Sequence, residues 1–182
     1  MESKGQAFGV WLTGLPASGK STVAAELALQ IRKLGIHVTV LESDALRKIF
    51  PMPPRYDDQD REYFYNSLAF IGSNLINHGI SVIFDATANR RTYRARARQL
   101  IEHFLEVYVE CPLETCMRRD PKGIYRKAHE GQATDVPGLQ AVYEPPEHPE
   151  LVIRGDRDDP ADAARRIVDL LIQKGYDQTN VL

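Results

Sequence analysis

The sequence predicts an α/β fold with a mostly parallel five-stranded sheet, and two observations carry that prediction. Short apolar runs alternate with longer amphipathic stretches, the pattern of a parallel sheet covered by helices on both faces. The first of these runs leads straight into a glycine-rich loop and then a helix. In order, residues 8–12 form an apolar run bounded by Gly5 and Gly14, and 20–34 is helical with Val23, Leu27 and Ile31 on one face. Residues 37–41 are strand-like, a long amphipathic helix falls within 60–78, and 81–84 reads as a buried strand. A basic helix from about 92 to 103 precedes a fourth strand over 105–109. Residues 151–153 give a short fifth strand, and Pro160 opens an Ala-rich, periodic closing helix to 174 with proline in its first turn.

Two stretches fall outside the alternation. Residues 51–58 are rich in proline and charge, and 120–149 contains five prolines and three glycines. Loops of that length inside a compact domain are lids or binding loops, the alternative being a solvated excursion. The expectation is one domain over residues 1–182, with a lid at 120–137.

Composition excludes several classes. A chain of 182 residues, 43% hydrophobic, is one domain in size. Twenty-three Lys and Arg against 25 Asp and Glu leave a net charge of −2, so no overall field gathers nucleic acid. The apolar runs fall far short of the roughly 20 residues that span a bilayer, and the polar start MESKGQ has no signal-peptide pattern. A cytoplasmic protein is expected. Cys111 and Cys116 suit neither a disulfide framework nor a four-ligand metal site, and read as reduced, partly buried thiols.

The segment from Gly14 through Pro16, Ala17, Ser18, Gly19 and Lys20 to Ser21 fits G-x-x-x-x-G-K-[ST], between strand and helix where the motif requires. Glycines let backbone N–H groups converge on phosphate oxygens without a Cβ in the way, and the helix that begins here aims its positive end at the charge. Lys20 can reach the β- and γ-phosphates, Ser21 can offer its hydroxyl to Mg²⁺, and Thr22 completes the cradle. The fold expectation becomes a three-layer P-loop NTPase of the nucleoside-monophosphate-kinase-like kind. The expected ligands are ATP and Mg²⁺.

A P-loop alone fits a switch, a motor or a kinase, and the chain has no N-K-x-D guanine-reading motif. It does have Asp44 at the end of the second strand, with Arg47 one helical turn on. Ligands gather at the C-terminal ends of parallel strands, so Asp44 is placed to orient or deprotonate a hydroxyl acceptor, and Arg47 to grip an anionic part of it. Asp44 capping the following helix is the structural alternative.

From here the chain resembles adenylylsulfate (APS) kinases, which phosphorylate the ribose 3′-hydroxyl of APS using MgATP. The resemblance covers nearly the whole chain. It is most specific in Pro112-Leu113-Glu114, Cys116, the run Arg119-Asp120-Pro121-Lys122-Gly123-Ile124-Tyr125 with Lys127-Ala128, then Tyr143-Glu144-Pro145-Pro146 and Pro149-Glu150-Leu151. That run is similar to the family's mobile lid and the strand after it. The family's L-D-G-D and N-x-R appear as residues 41–44 and Arg47, with Glu42 replacing the first Asp. The resemblance puts Asp44, Arg47, Arg61 and Lys127 on acceptor-binding or catalytic positions, and paired cations suit an anionic sulfate anhydride.

Departures are specific. Where the family clamps adenine between two phenylalanines, Tyr56 matches the first and Val136 stands at the second. The family's E-N-x-R-R after Asp60-Arg61 is here Tyr63-Phe64-Tyr65-Asn66-Ser67, and its I-S-P-Y-R is Thr87-Ala88-Asn89-Arg90-Arg91. The stretch from Asp85 to Arg90 loosely resembles P-loop kinases of the polynucleotide and small-molecule type, in which the strand-end acid supports magnesium-bound water or the acceptor. Asp85 is either such an acid or a buried structural one.

The basic run Arg90, Arg91, Arg94, Arg96 and Arg98 spreads over several helical faces, so a solvated face is the expectation rather than an RNA groove. Arg90 and Arg91 are candidates to replace the two lost acceptor cations. Arg118 and Arg119 are candidates to neutralise the γ-phosphoryl in flight.

The leading expectation is transfer of the ATP γ-phosphate to the 3′-hydroxyl of APS. The same chemistry on another nucleotide anhydride or small hydroxylated metabolite comes second, and a nucleotide-binding module without catalysis third. The partner is a small nucleotide rather than nucleic acid or membrane, and kinases resembling this chain are commonly homodimers.

Overall fold

In the computed structural model of the chain, residues 6–49 and 55–176 are described. The amino-terminal sequence through Gly5 and residues 51–54 of the first irregular stretch lie outside them. Five strands, β1 (Gly9–Thr13), β2 (Val38–Glu42), β3 (Ser81–Asp85), β4 (Phe104–Glu110) and β5 (Leu151–Arg154), form one sheet in the order β2-β3-β1-β4-β5. Every pairing is parallel.

The period of two in the strands sorts side chains between two cores. Val10, Leu12, Ile83, Leu105, Val107, Val109 and Ile153 face helices α1 (Lys20–Lys33) and α7 (Pro160–Gln173). Trp11, Val82, Phe84 and Phe104 face α3 (Asp58–Asn77) and α4 (Arg91–Leu100). Three layers result. Trp11 stacks on Phe84 with centroids 4.7 Å apart and donates its indole N–H to the Ala86 carbonyl at 3.0 Å. Gly72 lets α3 press onto this stack, because a Cβ there would lie 2.2 Å from Phe84 Cζ.

Helix ends follow local chemistry. Asp57 caps α3 by accepting from Asp60 N, and Asp159 caps α7, which carries proline in its first turn. The basic helix is shorter than expected, ending at Leu100, because Ile101 turns extended and buries its side chain against Gly9.

Three short helices complete the elements: α2 (Ser43–Arg47), where a helix was expected after the second strand, and two additions, α5 (Leu113–Arg119) and α6 (Ile124–His129). The last lies inside the proline-rich stretch. Tyr125, Ala128 and Val136 from that stretch form a third apolar cluster with Cys111 and Cys116, against which Leu15 and Ala17 of the glycine-rich loop pack. Both cysteines are free and buried rather than partly buried. Burial pushes the Cys116 thiol up to about 12, the mark of an inert packing group. Among the described residues, no helix is long and apolar enough to cross a membrane.

Candidate active site

Residues 14–19 turn sharply between β1 and α1 at the C-terminal edge of the sheet. A Cβ on Gly14 would sit 2.4 Å from the Val109 carbonyl oxygen, so only glycine lets the loop pass β4. Gly19 caps α1 at φ 107, and Ala17 adopts φ 62, both in the left-handed region. Ser18 is buried, and its hydroxyl has no hydrogen-bond partner among the described residues. Lys20 is buried and folds back over the loop, donating to the Gly14 carbonyl at 3.1 Å and the Leu15 carbonyl at 2.8 Å. Burial lowers the Lys20 pKa, while Asp85 and Asp44 pull it back up. Ser21 and Thr22 are exposed on the first turn of α1.

Three cavities meet this loop. An outer cleft of about 420 Å³ is lined by Ala17, Gly19 and Thr22, by Arg119, and by residues 155–158 after β5. Arg119 crosses it to donate to the Gly155 carbonyl at 2.8 Å. Arg118 is not brought there: it is exposed and donates to Thr115 on its own helix.

A small inner cavity of about 120 Å³ holds Lys20 together with Asp44, Asp85, Glu42 and Lys122. Asp85 is buried at the end of β3, and no hydrogen bond among the described residues reaches its carboxylate. Asp44 lies in the first turn of α2 without capping it, and its carboxylate accepts from Lys122 Nζ at 2.6 Å.

The third cavity, about 430 Å³, is lined by Asp44, Arg47, Tyr56, Arg61, Lys127 and Val136. It shares Pro16, Ser43, Asp44, Thr87 and Ile124 with the inner cavity, so the Asp44 carboxylate stands at their junction. Arg47 is buried between the rings of Phe64, 3.8 Å from its guanidinium carbon, and Tyr56 at 4.9 Å. Its Nη1 donates to Asp60 at 3.1 Å, and its Nη2 has no partner among the described residues. Arg61 is a three-way clamp that donates to the Tyr56 carbonyl at 2.7 Å, Asn89 Oδ1 at 3.1 Å and the Asp135 carbonyl at 2.5 Å. Lys127 is exposed at the rim.

Two expectations are corrected. Arg90 and Arg91 do not line the third cavity: Arg90 pairs with Asp58 at 2.6 Å, and Arg91 bonds Glu147 and the Pro145 carbonyl. The basic helix is also not simply solvated, because Arg94 is 1% exposed and bridges Glu106 on β4 to the carbonyls of Ala88 and Glu144. Arg98 pairs with Glu150. Carboxylates thus pair with four of the five arginines that an RNA groove would need.

Sequence reasoning did not single out Asp60, which holds Arg47 and the Tyr56 N–H, or the loop at 155–158. The rule that ligands gather at strand C-termini, applied to β5, would have found that loop. Asn66 and Ser67 do not line the third cavity, and Ser67 bonds back to Tyr63.

A strand, a phosphate-cradling loop and a helix, with a second cavity at the strand ends beyond them, define a P-loop kinase. The adenylylsulphate kinase family profile matches residues 6–154. The adenylyl-sulfate kinase of Halothermothrix orenii is 35% identical, covering 92% of this chain and 90% of its own length. That of Pseudomonas aeruginosa is 38% identical over 89% of this chain and 84% of its own. The Mycobacterium tuberculosis APS kinase CysC, solved with AMPPNP and APS, superposes with a TM-score of 0.86 at 34% identity, covering 92% of this chain and 98% of that one. The chain belongs to the adenylylsulphate kinase family.

Proposed function

We propose that this protein transfers the γ-phosphate of ATP to the 3′-hydroxyl of APS, giving 3′-phospho-APS and ADP. The supporting observation is the position of Asp44, whose carboxylate is shared by the cavity beside Lys20 and the larger cavity lined by Arg47, Arg61 and Lys127. A hydroxyl in the larger cavity and a phosphoryl group beside Lys20 would meet there.

In this reading Gly14, Ala17, Ser18, Gly19, Lys20, Ser21 and Thr22 hold the donor phosphates, with the buried Ser18 hydroxyl gaining a partner when they arrive. Arg119 and the 155–158 loop receive the rest of the nucleotide. Lys20 exchanges its two loop carbonyls for phosphate oxygens. Asp44 takes the hydroxyl proton as the new P–O bond forms and the bond to ADP breaks in line. Arg47 offers its free Nη2 to the anionic end of the acceptor, and Tyr56 offers a ring face to its base. Residues 120–137 act as the lid, excluding water from the phosphoryl group.

Magnesium fits the residues present. Ser21 and the Asp85 carboxylate, which no hydrogen bond among the described residues reaches, are the protein groups that would hold it, and it would supply charge neutralisation at the phosphates. We further propose a cytoplasmic homodimer, for which sedimentation would test the assembly, a hexamer counting against it, and cell fractionation the compartment.

A second reading keeps the chemistry and changes the acceptor to another nucleotide anhydride. It is favoured by Phe64, an apolar ring under Arg47 where the family pattern has an amide, and by Val136 in place of a phenylalanine on the cavity wall. Coupled ADP release measured over APS and a panel of nucleotides and sugars tests both. APS giving the highest kcat/KM supports the first reading; no rate above the water background with APS, and a rate with another acceptor, establishes the second.

A further inference from the structure

We propose that Tyr65 is a specificity-determining residue, whose hydroxyl joins Arg47 Nη2 in presenting two hydrogen-bond donors to a proton-free oxyanion, the sulfate end of APS; this rests on the acceptor reading above. Tyr65 stands at the position that the family pattern E-N-x-R-R leaves open, so the resemblance assigns it no role.

Tyr65 follows Arg61 by one turn of α3 and lines the same cavity, although it is only 3% exposed. Its ring is held on three sides. It stacks on Tyr93 with centroids 5.0 Å apart, meets Phe64 edge-on at 5.3 Å and lies tilted against Trp11 at 6.4 Å. A ring packed in this way cannot turn its hydroxyl elsewhere. The phenol oxygen accepts from Ala88 N at 3.1 Å, and no acceptor among the described residues takes the hydroxyl hydrogen. With the oxygen engaged by a main-chain N–H, the capacity left over is that of a donor. Leaving a buried donor unmatched is costly, and a ligand atom that accepts from it recovers the cost.

The post that fixes the phenol is itself immobile. Thr13 donates to the Thr87 carbonyl at 2.7 Å, Arg94 donates to the Ala88 carbonyl, and Asn89 donates to the Val142 carbonyl at 2.9 Å. Arg47 supplies the second donor. Its guanidinium carbon is 5.7 Å from the Tyr65 ring centroid, its Nη1 is spent on Asp60, and its Nη2 has no partner among the described residues. Arg61, one turn before Tyr65, has already committed all three of its nitrogens. One cationic N–H and one neutral O–H therefore face the ligand without an accompanying acceptor. Such a pair suits an oxyanion with no proton of its own. A cation plus a neutral donor also matches the single negative charge of a sulfate end better than the roughly −1.5 to −2 of a terminal phosphate.

The test is calorimetry of APS and AMP with AMPPNP filling the donor side, in wild type and Tyr65→Phe. AMP keeps the base, ribose and first phosphate of APS and lacks its sulfate. Tyr65→Phe keeps the ring and its stacking, and the loop after β3 keeps its other three bonds. A lost hydrogen bond to an anion predicts APS binding about tenfold weaker or more, with AMP within about twofold. In turnover the acceptor KM rises by a similar factor, while kcat and the ATP KM stay within about twofold. Unchanged APS affinity overturns the proposal, as does equal weakening of APS and AMP, the sign of a loosened loop; the acceptor reading stands in both cases. Wild-type protein with no measurable APS binding sinks the acceptor reading and the Tyr65 role together.

Discussion

The proposed donor and acceptor sides of the cleft are built in opposite ways. On the donor side, six consecutive residues between β1 and α1 present backbone groups, the first residue of α1 is a buried lysine, and glycine at position 14 is required by a neighbouring carbonyl. On the proposed acceptor side, side chains from α2, α3, α6 and the segment at 132–137 converge, and the two buried arginines among them are held by other side chains. Asp60 holds Arg47, Phe64 and Tyr56 stack on it, and Arg61 ties three segments together. A phosphate cradle made of main chain tolerates little change, whereas a pocket made of side chains can be re-cut one residue at a time. One family can therefore keep its donor and vary its acceptor.

The contrast can be broken at its junction first. Asp44→Asn is expected to lower kcat by about 10²–10⁴-fold without weakening ADP binding; a variant retaining most of its turnover would take the proton-accepting role from Asp44. Next comes Lys20→Ala, which should cost about 10²–10³-fold in turnover on every acceptor tried, with acceptor KM almost unchanged. If its defect depended on the acceptor, the two sides would not be separable.

Arg61→Ala should raise the acceptor KM by about 10- to 100-fold and leave the ATP KM within about twofold, since each of its hydrogen bonds lies on the acceptor side. A selective ATP defect would refute its placement. The smallest effect is expected from Tyr56→Leu, which removes a stacking face and should raise the acceptor KM about two- to tenfold. Steady-state kinetics with both substrates varied reads all four.

The same contrast explains what could be read from the sequence. The five strands and four longer helices were legible because their apolar periodicity is local and repeated. Helices α2, α5 and α6, of five to seven residues, carry too few turns for a periodic signal, and α6 owes its burial to the apolar cluster beside the glycine-rich loop. The donor loop was legible for the same reason as the strands, since it is contiguous. Asp44 and Arg47 were legible from a strand end plus one helical turn. Lys122 meets Asp44 across 78 residues of sequence, and no spacing rule reports such a pair. Arg90 and Arg91 were misread because Asp58 and Glu147, which occupy them, come from other segments.

The Arg61 clamp also sets an order on the birth of the protein. Its three acceptors belong to residues 56, 89 and 135, the last 74 positions further along the chain. During synthesis the chain emerges from its amino-terminal end, so β1, the glycine-rich loop and α1 are available long before residue 135 leaves the ribosome. Until then the Arg61 guanidinium lacks its lid acceptor and the acceptor pocket lacks a wall. A nascent chain of this kinase can therefore shape its glycine-rich loop early, yet it cannot complete the cavity that Arg61 walls, the proposed acceptor pocket, until residue 135 has emerged.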